Sequence, residues 1–368
     1  MPENRKKISE YKAVEASRRV AQKARRRGEL IASRIPGARA FLKPPEPGAV
    51  ADRVVVISDV HLGEPHDLLA QPERVQPLVE VITELGPIDD LVILGDLFDF
   101  WNARFDEALK RGGPLLNALF MLPNVRRMVY LPGNHDHHIF RMYFEEKVAQ
   151  NLREGSLEMP ELVMPMTRDC PAIAPLIPRD AQVPLFMTYP IYQVLVRGRP
   201  ALLTHGHLLG MFERSLWKPK HSRISTFILN KTASLDLDDM ERFISPYYEM
   251  AMLSTYIPGV VENRYRIYRW LNNTGKYWGV SPDDRTSNYR GSTIEENAVE
   301  IEALLKHFCE EMPAYFVYGH THRAGMLRLP LSGTLAVNSG CWLDDRGVPE
   351  TSNTLVEITD DARIILVE

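Results

Sequence analysis

Five short stretches of this 368-residue chain carry side chains that bind divalent cations, each in a tight cluster. They are Asp59-x-His61, Gly95-Asp96-x-x-Asp99, Gly133-Asn134-His135-Asp136, His205-Gly206-His207 and Gly319-His320-x-His322. Carboxylate, carboxamide and imidazole donors together suit Mn²⁺, Fe²⁺ or Zn²⁺, whereas Ca²⁺ prefers cages of oxygen alone. Seven such donors with one shared carboxylate make two sites of four, and a pair of cations about 3.5–4 Å apart can clamp both oxygens of a phosphoryl displacement. Glycine stands directly before Asp96, Asn134 and His320, where it lets the backbone turn sharply and approach closely. The three cysteines, Cys170, Cys309 and Cys341, form no CxxC pair, which argues against thiolate zinc sites and a disulfide framework and leaves them as small buried hydrophobes.

Each cluster follows an apolar run that reads as a buried strand. Residues 53–59, 90–96 and 127–131 are such runs, separated by helical stretches at 71–85 and 104–120, so the order is strand, helix, strand, helix, strand. That order predicts a largely parallel sheet, and ligands bind outside the carboxyl ends of its strands. A hairpin at 191–196 and 201–204 delivers His205, and a helix near 294–311 with a strand at 314–318 delivers His320 and His322. Strands near 325–329, 334–338, 354–358 and 363–367 close the chain. Residues 155–190 hold seven prolines and read as an irregular insertion. Residues 208–300 read as a helical cap rich in aromatics and methionine, among them Met240, Phe243, Tyr247, Tyr248, Met250 and Met252.

Apolar residues make up 45% of the chain and charged residues 25%, the balance of a folded globular protein rather than a disordered or fibrous one. No stretch approaches the ~18 apolar residues of a membrane span, and the N-terminal region lacks the apolar centre of a secretory signal, so a cytoplasmic location is expected. Charge is unevenly spread. Residues 1–50 hold 13 Lys and Arg against 5 Asp and Glu, so this arm carries +8 and the remainder −12 of the net −4. A helix over 6–34 with interspersed arginines suits an anionic membrane surface, while the acidic body disfavours nucleic acid. A Pro-rich linker at 44–48 separates the arm from the body. Three regions result: the arm and linker at 1–50, a core at 51–207 and 301–368, and the cap at 208–300.

The five clusters, in this order, resemble the calcineurin-like metallophosphoesterase superfamily, whose pattern is DxH, GDxxD, GNH(D/E), H and GHxH. The resemblance implies an α/β fold, an αββα sandwich of two mixed sheets flanked by helices, with a binuclear centre at the strand ends. By motif position, Asp59, His61, Asp96 and His322 would hold one metal, and Asp96, Asn134, His205 and His320 the other. Asp96 would bridge the two ions. Mn²⁺ is the expected metal, with Fe²⁺ or Zn²⁺ as alternatives. The stretch from Gly95 to Trp101 is similar to the UDP-2,3-diacylglucosamine hydrolase branch, as is Asn338 to Trp342. The chain departs from that branch at His135, where arginine is usual, and at His207, where aspartate is usual.

The implied activity is hydrolysis of a phosphate ester or pyrophosphate by hydroxide supplied at neutral pH, on a small or lipid- or nucleotide-linked substrate. His135 would donate a proton to the leaving oxygen and Asp136 would orient His135. Asp99 would bond a ligand or brace its loop. Arg323 and His207 are candidate substrate contacts, and His137 and His138 read as bystanders. The alternatives are a nuclease or cyclic phosphodiesterase of the same superfamily and, from another class, a scaffold without catalysis.

Overall fold

A computed structural model describes residues 50–168, 170–209, 236–261, 292–343 and 353–368, together with Leu42 and Asn263. The basic arm and much of the cap segment lie outside the described residues. The elements are β1 (Val50–Ala51), β2 (Val54–Ile57), α1 (Pro72–Glu84), β3 (Ile88–Leu94), α2 (Phe105–Phe120), β4 (Val125–Leu131), α3 (His138–Arg153), β5 (Met164–Thr167), β6 (Leu185–Tyr189), β7 (Ile191–Val196) and β8 (Arg199–Thr204). They continue with α4 (Leu237–Leu253), α5 (Ile294–Phe308), β9 (Tyr315–Tyr318), β10 (Gly325–Arg328), β11 (Leu335–Asn338), β12 (Thr354–Ile358) and β13 (Ala362–Leu366).

Among the described residues the strands form two sheets, of order β13-β12-β2-β3-β4-β6-β5 and β1-β7-β8-β9-β11-β10. In the first, β2, β3, β4 and β6 run parallel, with antiparallel strands at both edges. In the second, β8, β9 and β11 are parallel. Strand side chains alternate between faces, and here both faces are buried. Val54, Val56, Val92, Leu94, Val129 and Leu131 meet Val194, Leu203, Val317 and Val337 between the sheets. Their neighbours Val55, Ile57, Leu91, Ile93, Met128 and Tyr130 turn outward to a second core with Leu78, Ile82, Leu115 and Leu119 of α1 and α2. The other sheet packs Phe316 and Tyr318 against Ile301, Leu305 and Phe308 of α5. Helix, sheet, sheet and helix are therefore stacked in four layers, as the resemblance implies.

Residues 155–190 differ from the irregular insertion expected, since they contain β5 and β6. β6 pairs with β4, and β5 lies at the sheet edge. Proline is tolerated because Pro165 stands in the edge strand, where a missing N–H costs no interior ladder bond, and Pro184 and Pro190 flank β6. Cys170, Cys309 and Cys341 are buried free thiols.

Candidate metal centre

The parallel strands β2, β3 and β4 of one sheet and β8 and β9 of the other end at a common rim, and each hands its loop a ligand. The loops are stitched together by backbone. Asp59 N–H donates to Gly95 O at 3.1 Å, His61 N–H to Asp96 O at 2.8 Å, and Gly319 N–H to His205 O at 3.0 Å. Side chains extend the stitching, since Asp96 Oδ1 accepts from His135 N–H at 2.8 Å and both Asp59 oxygens accept from His320 N–H at 3.0 Å.

Asp59, His61, Asp96, His320 and His322 all have left-handed backbones, with φ between 50° and 66°. Side chains other than glycine, asparagine and aspartate rarely adopt this region, and such strain persists where the surroundings over-determine it, characteristically at functional sites. The glycines explain how the loops close. A Cβ on Gly95 would strike His205, one on Gly133 would strike Asp96, and one on Gly319 would strike Asp59.

Among the described residues three groups of candidate ligand atoms form, one of them His61, Asp99 and His135. Asp59, His61 and His322 converge within 4.8 Å of one another, as do Asp96, His205 and His320. Asp96 Oδ2 lies between them, 3.2 Å from His205 Nε2 and 3.6 Å from His61 Nε2. Asn134 Oδ1 reaches His205 Nε2 at 3.1 Å, and His322 Nε2 reaches Asp59 Oδ1 at 3.2 Å. His205 Nδ1–H donates to Leu94 O at 3.0 Å, which turns Nε2 toward the centre, the usual way a backbone carbonyl sets a ligating histidine.

The donor set fits a pair of cations on electrostatic grounds. His61 Nε2 and His322 Nε2 face each other at 3.1 Å, and Asn134 Oδ1 faces His205 Nε2, so a proton or a metal ion must lie between electron-pair donors. Burial resists charge on these groups, yet the carboxylates prevail. The hydrogen bond His61 donates to Asp99 and the charges of Asp96, Asp99 and Asp59 raise His61 to about 9. Against the same burial, Asp96 and Asp59 raise His205 to about 10. Asp96 is itself held well below the usual carboxylate range, with burial opposed by His205, His135 and His61. The carboxylates that hold these protons supply the negative field a divalent cation needs. His320 is pushed down to about 3 by burial and by His205, so it presents a neutral imidazole.

One expected pairing is corrected. His135 is not oriented by Asp136: its Nδ1 lies 3.0 Å from Asp99 Oδ1, and its ring stacks on Trp101 with centroids 4.1 Å apart. Asp136 points down into the core, accepting from the N–H groups of Gly133, Leu97 and Phe98 and from Tyr130 O–H at 2.5 Å. With Asp96 N–H as well, five donors reach this buried carboxylate, and no acceptor position remains for the imidazole above it. Asp99 takes both roles open to it, meeting His61 and His135 while accepting from the N–H groups of Trp101 and Asn102 at 3.0 Å. The bystander reading of His137 and His138 also fails, because both bond Glu249 of α4.

His207 is buried against Glu241 Oε1 at 3.3 Å rather than turned outward to a substrate, and Arg323 is half-buried beside the last ligand loop. Glu241 and Glu249 escaped the sequence reading. The signal available was a stripe of spacing three and four, Glu241, Ser245, Tyr248 and Met252, in which acidic and apolar residues share one buried face.

A family model described as calcineurin-like phosphoesterase matches residues 52–324. Among solved structures, a dimetal phosphatase from Danio rerio aligns with 13% identity over 86% of this chain and 99% of that chain, with a TM-score of 0.35. Comparison with curated proteins found no match.

Proposed function

This chain belongs to the calcineurin-like phosphoesterase family, and on that premise we propose that it hydrolyses a phosphate ester or pyrophosphate bond with two divalent cations held at the strand ends. One observation carries the reading. Six donors converge in two groups of three with Asp96 Oδ2 between them, and Asn134 Oδ1 reaches the second group through His205. Asp59, His61, Asp96 and His322 would hold one ion, and Asp96, Asn134, His205 and His320 the other. Such a pair supplies a water whose pKa falls toward neutrality and positive charge for the phosphoryl oxygens.

The chain's own residues supply the rest. Asp99 accepts from His135 Nδ1–H, which orients the ring so that Nε2, when both ring nitrogens carry a proton, gives its own to the leaving oxygen. The His135 side chain is 21% exposed, so a substrate can reach it, whereas six of the seven proposed ligands are buried and His320 is half-buried. Enclosure keeps the local dielectric low and strengthens every charge interaction at the reacting phosphorus.

The substrate we propose carries an apolar or nucleotide group, as UDP-diacylglucosamine does. The similarity of Gly95 to Trp101 to that branch supports this, as do the exposed Phe243, Tyr247 and Met250 on the helix beside His135. We further propose that residues 6–34 attract the enzyme to anionic membranes. No helix of the described residues is long and apolar enough to cross one.

The test is a hydrolysis panel in Mn²⁺ with and without chelator: 4-nitrophenyl phosphate, bis(4-nitrophenyl) phosphate, a UDP-linked sugar lipid, a cyclic nucleotide and single-stranded DNA. Chelator-sensitive turnover of the UDP-linked lipid supports the reading in full, and turnover of the DNA or cyclic nucleotide alone moves it to the nuclease or cyclic phosphodiesterase alternative. Metal-saturated protein inert on every member would overturn it. Deletion of residues 1–45 should abolish sedimentation with anionic liposomes, and unchanged sedimentation would remove the membrane proposal.

A further inference from the structure

Helix α4 meets the metal-centre loops through two carboxylates. Its N-terminus is capped by Asp236, whose side chain accepts from Asp239 N–H at 2.8 Å, and its buried face carries Met240, Glu241, Ser245, Tyr248 and Met252. Glu241 accepts from Tyr189 O–H at 2.7 Å and meets His207, two residues beyond the ligand His205. One turn from the other end, Glu249 accepts from two imidazoles at once, His137 Nδ1–H at Oε1, 2.8 Å away, and His138 Nδ1–H at Oε2, 2.7 Å away. His137 is pinned again by Ser245 Oγ at 3.0 Å from its Nε2. These two histidines follow Asn134, His135 and Asp136 directly and start α3.

We infer that Glu249 is a positioning residue for proton donation by His135, acting through His137 and His138 and not through the metal ligands. The inference rests on the phosphoesterase reading above.

Three features carry it. First, Glu249 is 112 residues from His137 in the chain, and its side chain is only 19% exposed. A carboxylate is so enclosed only when its oxygens are satisfied, and here each oxygen is met by one imidazole. Second, α4 also holds the far side of His135. The indole stacked on that imidazole, Trp101, lies against Tyr247 and Tyr248, with centroids 6.1 and 5.9 Å away. The catalytic ring is thus gripped from its own chain and from the ring beneath it by one helix. Third, the seven ligands are located by strand ends, backbone stitching and glycine contacts in which α4 takes no part. Loosening α4 should misplace His135 while leaving the cation cradle intact, and a misplacement of about 1 Å can cost up to about a hundredfold in rate.

Proton donation matters most when the leaving oxygen is a poor leaving group, so phenyl phosphate and 4-nitrophenyl phosphate separate this role from a general structural one. In Glu249→Gln, kcat on phenyl phosphate should fall by about 10–100-fold. On 4-nitrophenyl phosphate it should stay within about threefold, with KM and bound manganese unchanged. His135→Ala should show the same pattern, and the double variant should be no worse than His135→Ala alone.

Equal losses on both substrates, lost manganese, or losses that multiply in the double variant would overturn the proposal. If Glu249→Gln folds poorly, His138→Asn removes one arm of the clamp and should give the same pattern at smaller amplitude. A readout independent of turnover is the rate at which diethylpyrocarbonate modifies His135, followed by mass spectrometry. It should rise several-fold in Glu249→Gln, and an unchanged rate counts against the proposal. Where wild-type protein is inert on both esters, the modification rate decides whether Glu249 holds His135, and the full substrate panel decides the phosphoesterase reading.

Discussion

The metal ligands hang from short loops with strained left-handed backbones, whereas the carboxylates that meet those loops from the cap side stand on a regular, capped helix. The first region is stiff because five strand ends in two packed sheets leave its backbone no alternative. Strain is stable there for the reason given by general experience with active sites: the surrounding packing outweighs it. The second region carries no such strain and is held by a few hydrogen bonds and rings. Its grip is reversible by comparison, which suits an element that lies over a substrate-accessible imidazole. The cradle fixes where charge is placed, and the helix governs how precisely one acid addresses it.

The difference between these regions can be broken most forcefully at Asp96. Replacing it with Asn removes the one carboxylate charge the two groups share, and kcat/KM should drop by about a thousandfold or more, with metal content measured by elemental analysis falling in parallel. Full activity in Asp96→Asn would show that the two groups do not act as one centre.

Removal of metal should come next. A cation present at a hundredfold its dissociation constant contributes about 2.7 kcal/mol to the folded state. Chelation should therefore lower the melting temperature by several degrees, reversibly on adding Mn²⁺. An unshifted melt would mean that the carboxylates and imidazoles balance one another without a cation.

Glycine substitutions sharpen the comparison further. Gly133→Ala drives a methyl group onto Asp96 and should cost about 1–3 kcal/mol as well as activity. Gly113→Ala, within α2 and facing open space, should instead stabilise the fold by about 0.5–1 kcal/mol. Melting curves of the two variants should therefore move in opposite directions from wild type, and a shift of the same sign would contradict the tight loop packing.

The smallest expected effect concerns acid. Burial pushes the Glu249 carboxyl up, but the hydrogen bonds from His137 and His138 prevail and hold it at about 2, against an ordinary 4.5. A carboxyl depressed on folding contributes stability that is complete above its unfolded value and lost as pH falls through the folded one. The melting temperature of wild type should exceed that of Glu249→Gln above about pH 4.5, and the gap should close between pH 4.5 and 2. A gap independent of pH would show that the clamp does not depend on charge.

Much of the site was legible before the fold was seen. Ligand type and order are local properties: Asp59-x-His61 and Gly319-His320-x-His322 announce themselves within four residues, and the apolar runs before them mark the strands by composition alone. The alternation of strand and helix announced a parallel sheet, and the four layers followed from the family resemblance. What failed did so at long range. Asp136 adjoins His135 in sequence, yet adjacent side chains on a tight turn point apart, and Asp99, from another loop, takes the place expected of it. His137 and His138 looked idle because the carboxylate they bond stands 112 and 111 residues away. Prolines at 155–190 hid two strands because Pro165 stands in the edge strand β5, where it costs no interior bond, while Pro184 and Pro190 only flank β6. The amino-acid order by itself determined which atoms could bind cations and which strands would carry them, since donor chemistry and periodicity reside in neighbouring residues. Only the tertiary structure decided which acid orients the proton donor and which helix holds it, because a hydrogen bond depends on distances of about 3 Å in space, and separation along the chain does not set those distances.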